Sequence, residues 1–199
     1  MSLTKAQAIL FIQDRHRPHG RASSVRFGSA PFRIRIAKEQ SLKEPTPIED
    51  IIAYVNEFLT SLGMLASDNP QISFASELTD AEIQEVLNRT LYAPIHDAYG
   101  NCEDLVWMKF TQDGYLGVVA VSNDINFDIP PSLEAHLCTR NTPGIIVKSL
   151  HKQWDRTFVL AFPLINIPKG LKRANIETGI GNYLISQGVP ILDFFSHRY

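Results

Sequence analysis

Cysteine is nearly absent from this sequence. It occurs twice in 199 residues, at Cys102 and Cys138. Neither sits in the paired spacing that holds structural zinc, and two thiols make no disulfide framework. That fits a reducing compartment, so a cytoplasmic location is expected. Long apolar runs are missing too. The longest, Phe158 to Ile167, is broken by Pro163 and is about half the roughly 20 residues needed to cross a bilayer. The N-terminus carries Lys5 but no apolar stretch followed by a small-residue cleavage site, so neither membrane insertion nor secretion is expected. Net charge is small as well, −2 with a pI near 6.3, which excludes a grip on nucleic acid spread over the whole surface. Signature motifs are wanting. There is no G-x-x-x-x-G-K-[ST], G-x-G-x-x-G, H-E-x-x-H or G-x-S-x-G. Trp107 and Ile146 stand where a strand-borne nuclease would need an acid before Lys109 or Lys148. The cofactor is left unknown, and no metal site is expected.

What is present is enough apolar material for a core, 44% of residues, in a chain of single-domain size. Residues 1–199 are expected to form one α+β domain. Its sheet is mixed and largely antiparallel, with helices packed on at least one face. Residues 4–14 suit a helix or a short strand, and helix is preferred. A helix is expected over 47–62, with Thr46 as N-cap, Pro47 at N1 and Glu49 at N3. Its apolar stripe is Ile48, Ile51, Ile52, Val55, Phe58, Leu59 and Leu62, stepping by three and four, and Gly63 closes it. A turn at 68–70 leads to a strand over 71–75. Thr79 and Glu82 open another helix over 80–91, after which 92–103 reads as irregular.

The strands 104–111 and 115–122 flank Asp113-Gly114, a dipeptide suited to tight turns. A short helix is expected over 132–138, then two strands over 144–150 and 157–162. Pro163 and Pro168 end the second of these early or put it at a sheet edge. Residues 175–187 read as a helix capped by Gly188, whose internal Gly179 and Gly181 suit close packing. Residues 189–195 make a last strand.

Charge is distributed unevenly. From Arg15 to Lys38 the chain carries seven Lys/Arg and no Asp or Glu. His16 to Ala30 reads as a Gly/Pro/Ser-rich loop. Pro31 to Ala37 alternates Phe32, Ile34 and Ile36 with Arg33 and Arg35, the period of a strand with a basic outer face. Guanidinium forks match phosphate oxygens in pairs, so Arg15, Arg17, Arg21, Arg33 and Arg35 are the candidate anion-binding residues. The partner expected from them is nucleic acid or an acidic protein surface.

Other clusters carry weaker signals. His96, Asp97, Cys102 and Glu103 fall close together. In a small hydrolase or phosphodiesterase, His96, Asp97 and Glu103 would be the catalytic groups. The bland alternative has Asp97 and Asn101 capping turns. Lys148, His151, Lys152 and Arg156 surround Trp154, a pattern that holds single strands by stacking and charge, or else a hairpin loop whose tryptophan covers the core. Asp193, Ser196, His197 and Arg198 lie at the C-terminal edge. Exposed Trp154, Phe194, Phe195 and Tyr199 would instead mark a homo-oligomer interface. Whether the chain is an enzyme is left open.

Overall fold

The structure is a computed structural model that describes residues 2–13, 44–99, 104–122 and 154–191. Its elements run α1 (Lys5–Gln13), α2 (Ile48–Ser61), β1 (Gln71–Ser73), α3 (Asp80–Leu87), a π-helical turn (Asn88–Tyr92), α4 (Ala93–Tyr99), β2 (Leu105–Phe110), β3 (Leu116–Ser122), β4 (Phe158–Pro163) and α5 (Arg173–Ser186). The four strands form one sheet in the order β1-β4-β2-β3, and every pairing between them is antiparallel. The fold is α+β.

Both faces of the sheet are covered. Alternation along β2 sends Val106, Met108 and Phe110 to one face, where they meet Ile51, Val55, Phe58 and Leu59 of α2, Ala8 and Ile12 of α1, and Ile176, Ile180 and Leu184 of α5. Leu105 and Trp107 point the other way, to Ile83, Leu87, Leu91 and Ile95 of the α3–π–α4 helix. Each of these apolar side chains is worth roughly 1.5–3 kcal/mol on full burial. Opposite β2, Gly117 forms a bulge. The register passes from Lys109↔Val118 to Phe110↔Leu116, so Leu116 and Val118, two residues apart, face opposite layers.

Local chemistry explains most boundaries. Thr79 accepts from the Glu82 backbone N–H while the Glu82 carboxylate accepts from the Thr79 backbone N–H at 2.7 Å, a reciprocal cap. Thr4 and Gln7 exchange the same bonds before α1. Gly63 and Gly188, at φ +80° and +86°, end α2 and α5 in the left-handed region. The β2–β3 connection closes through Gly114 N–H to Thr111 O, at 2.9 Å. Gly114 has φ +83°, the geometry of a three-residue hairpin loop.

Three expectations are corrected. The first is the start of α2: Pro47, not Thr46, is its N-cap, and no side chain caps it. Glu49 and Asp50 in its first turn favour the helix dipole instead. Next, 92–99 is helical, not irregular. Pro94 has no N–H to give to the turn before it. The helix widens there, with the Ala93 N–H reaching Asn88 O, five residues back, so the proline is accommodated without a break. Last, β4 lies inside the sheet, between β1 and β2. Pro163 falls at its end, where a missing donor costs least.

The loop and strand expected over 16–37, the helix over 132–138, the strand over 144–150 and the residues after Ile191 lie outside the described residues. Within the described part of the last expected strand, Ile191 makes an isolated parallel bridge with Leu116.

Candidate functional site

The two ends of the acid-free basic segment are placed by the same layer of helices. Gln13 ends α1, and α1 is locked onto α5 by close approach and by one buried amide. A Cβ on Gly179 would stand 2.4 Å from Phe58 Cζ and 2.8 Å from Ile12 Cγ1, so only glycine permits that spacing. Asn182, 3% exposed, donates from Nδ2 to the Phe11 carbonyl at 2.8 Å, satisfying a carbonyl at the C-terminal end of α1. On the other side, Pro45 packs near Gly114 of the hairpin before α2 begins. Arg15, Arg17, Arg21, Arg33 and Arg35 themselves lie outside the described residues.

The body that carries this segment is acidic. The described residues contain seven Lys/Arg and fourteen Asp/Glu, a net of −7. Some of this charge is paired. Arg173 at the start of α5 donates to Asp104 at 2.6 Å, tying α5 to the head of β2. Asp104, next to the catalytic candidates in sequence, thus has a structural partner.

His96 and Asp97 sit side by side on α4 and are both exposed. Neighbours on an α-helix diverge by about 100°, so adjacency does not bring their side chains onto one target. Glu103 and Cys102 are outside the described residues. Among the described residues no group of three or more His, Cys, Asp or Glu could hold a metal ion. The π turn just before His96 is a kind of irregularity that recurs at functional sites.

Beneath that helix lies a group that sequence reasoning passed over. Lys109 is 1% exposed, although it is a lysine on a strand. Its Nζ lies 5.9 Å from the Trp107 ring centroid, within cation–π range. Trp107 is the residue whose position argued against a nuclease carboxylate. Nearby, Trp154 bridges to Thr111 and its ring lies over Gly117, where a Cβ would come within 2.2 Å of Cζ3. Trp154 is therefore part of the core, at 7% exposure, and does not form an exposed interface patch. Alternation placed Lys109 beside Trp107 on one face of β2, but only the sheet order shows that this face is buried.

A second polar group joins three elements on the opposite layer. Glu57 of α2 accepts from Tyr183 Oη at 2.6 Å and from the Leu3 N–H at 2.8 Å. The Tyr183 hydroxyl, then the Leu3 amide, hold the Glu57 carboxyl below its usual range. Burial, reinforced by the neighbouring carboxylate, pushes the Tyr183 phenol up. Tyr183 also meets Phe11 edge-on at 5.3 Å between centroids. These residues line an open groove of about 1070 Å³ along α1, with Ser2, Thr4, Gln7, Leu10, Gln13 and Gln187.

No family model, curated protein or solved structure matches the chain. Function is accordingly argued from the residues. Among the described residues no helix is long and apolar enough to cross a membrane.

Proposed function

We propose that this chain is a binding module for an anionic macromolecule, nucleic acid or an acidic protein surface, held through the arginine-rich segment 15–38. The observation that carries this reading is the partition of charge. Seven cationic side chains occur without one carboxylate between Arg15 and Lys38, while the described body has a net charge of −7. An acidic body repels a polyanion, so attraction is confined to the segment, and the binding face is set by where that segment leaves the fold. The docking of α1 on α5 through Gly179 and Asn182 supports the reading, because it gives the segment a fixed point of departure.

The test is fluorescence anisotropy with a labelled 20-nucleotide single strand, the matching duplex and polyglutamate, each titrated between low and moderate NaCl. On the duplex, five phosphate contacts from Arg15, Arg17, Arg21, Arg33 and Arg35 give a log–log salt slope near −4.5, about 0.9 per contact. Replacing these arginines one at a time by glutamine lowers the slope by about one each. A preference for polyglutamate over both oligonucleotides assigns the partner as acidic protein. Binding to none of the three, or binding indifferent to salt, refutes the proposal.

A further inference from the structure

We infer that the groove along α1 is a second binding site, of opposite charge preference, for an extended peptide segment that places one lysine or arginine beside Glu57. Glu57 is the only charged side chain among the residues lining the groove. Its two oxygens accept from Tyr183 Oη and from the Leu3 N–H. A carboxylate offers about four acceptor positions, so capacity is left for a cation arriving from the groove. The same contacts hold the group ionised well into acid. Aromatic rings stand around it: Tyr183 meets Phe11 at 5.3 Å and Tyr54 at 6.4 Å between centroids. A carboxylate beside aromatic rings suits an ammonium or guanidinium.

The rest of the lining indicates a chain and not a compact ligand. The groove is open along a helix of nine residues, Lys5–Gln13, roughly 13 Å of axis at 1.5 Å per residue. That length suits about four extended residues. Leu10 is 63% exposed, well above Leu65 and Tyr99, the other exposed large apolar side chains among the described residues. With Leu3 and Phe11 it gives the groove an apolar strip. Gln7, Gln13 and Gln187 line the groove as well, amides able to bond a peptide backbone. Apolar contact, backbone-matching amides and one negative charge together specify a short segment with a basic side chain next to an aliphatic one.

The experiment uses the full chain and a capped pentapeptide with one arginine between leucines, followed by two-dimensional amide NMR. The expected result is saturable shifts at Leu3, Leu10, Phe11 and Glu57. Glu57→Gln should weaken binding about tenfold, the loss of one charge-assisted contact, and Leu10→Ser should weaken it too. Leu10→Ser alters an exposed position, so it keeps the test informative if Glu57→Gln loosens the N-terminus. Glu85→Gln, on the other face of the sheet, should leave binding unchanged. Equal loss with Glu85→Gln would mean unspecific attraction to the acidic body and overturn the inference. So would absent shifts, equal binding of a peptide with citrulline for arginine, or a concentration-dependent dimer abolished by Leu10→Ser, which would make a second copy the occupant. Oligonucleotide binding is read in parallel and stays unchanged in Glu57→Gln, so this site and the basic segment succeed or fail separately.

Discussion

Replacing Gly179 by alanine sets two opposed effects against each other. In a helix interior alanine is favoured over glycine by about 1 kcal/mol, so an unobstructed substitution would stabilise α5. The site is obstructed. The new Cβ would stand 2.4 Å from Phe58 Cζ and 2.8 Å from Ile12 Cγ1, so both neighbours must retreat by about 1 Å to reach ordinary contact. Phe58 has little room to move, being 0% exposed and packed 5.9 Å from the Tyr183 ring. Overpacking of this kind costs about 1–3 kcal/mol and outweighs the propensity gain. We expect a net loss of about 1–2 kcal/mol, which is roughly 2–8 °C in Tm for a protein of this size. Urea denaturation followed by fluorescence of buried Trp107 and Trp154 measures it, as a lower midpoint with an unchanged slope. A Phe58→Leu change in the same chain should relieve part of the clash, making the double variant more stable than the sum of the single losses predicts. A Gly179→Ala protein as stable as the parent would refute the claim that α1, α2 and α5 meet at contact distance.

Two further outcomes follow from single residues. Burial raises the carboxyl of Glu177 from 4.5 to about 7, so the folded state holds a proton that the unfolded chain has lost. Stability should therefore fall as pH rises from about 4.5 to 7, and Glu177→Gln should remove that fall and stabilise the protein by about 1–2 kcal/mol at pH 8. A pH-independent difference between the two proteins in thermal melts would contradict this. Gly63→Ala, at φ +80° with nothing within 4 Å of the added carbon, should cost about 1–2 kcal/mol through backbone strain alone, read as a lower urea midpoint. Gly63→Asn should cost less, because asparagine tolerates that region better.

Elements governed by near neighbours were legible in the sequence. The cap at Thr79 and Glu82, the stop at Gly63 and the turn at Asp113-Gly114 each depend on a few consecutive residues, and each stands where its chemistry puts it. The α1 helix and the close packing at Gly179 were also foreseen. What escaped depended on distant or non-local partners. Pro94 looked like a helix breaker because the rule assumes bonds four residues back; the chain uses five. Pro163 suggested an edge because strand order is not written in any one strand. For the candidate site, His96 and Asp97 could be listed by composition, but a helix gives them separate directions. Lys109 and Glu57 drew no notice because their neighbours, Trp107 apart, come from remote segments: Tyr183 is 126 residues from Glu57.

The widened turn at Asn88–Tyr92 also sets how that helix can change over time. It takes up one residue without advancing the spiral, which keeps Leu87, Leu91 and Ile95 in line over the sheet although they are spaced by four. Losing a single residue there would leave the helix continuous yet swing everything after it by about 100°. Ile95 would leave the core and the exposed end of the helix would turn with it. Substitutions in this stretch are thus tolerable where length changes are not, and chains descended from this one should vary there in residue type while keeping the same count.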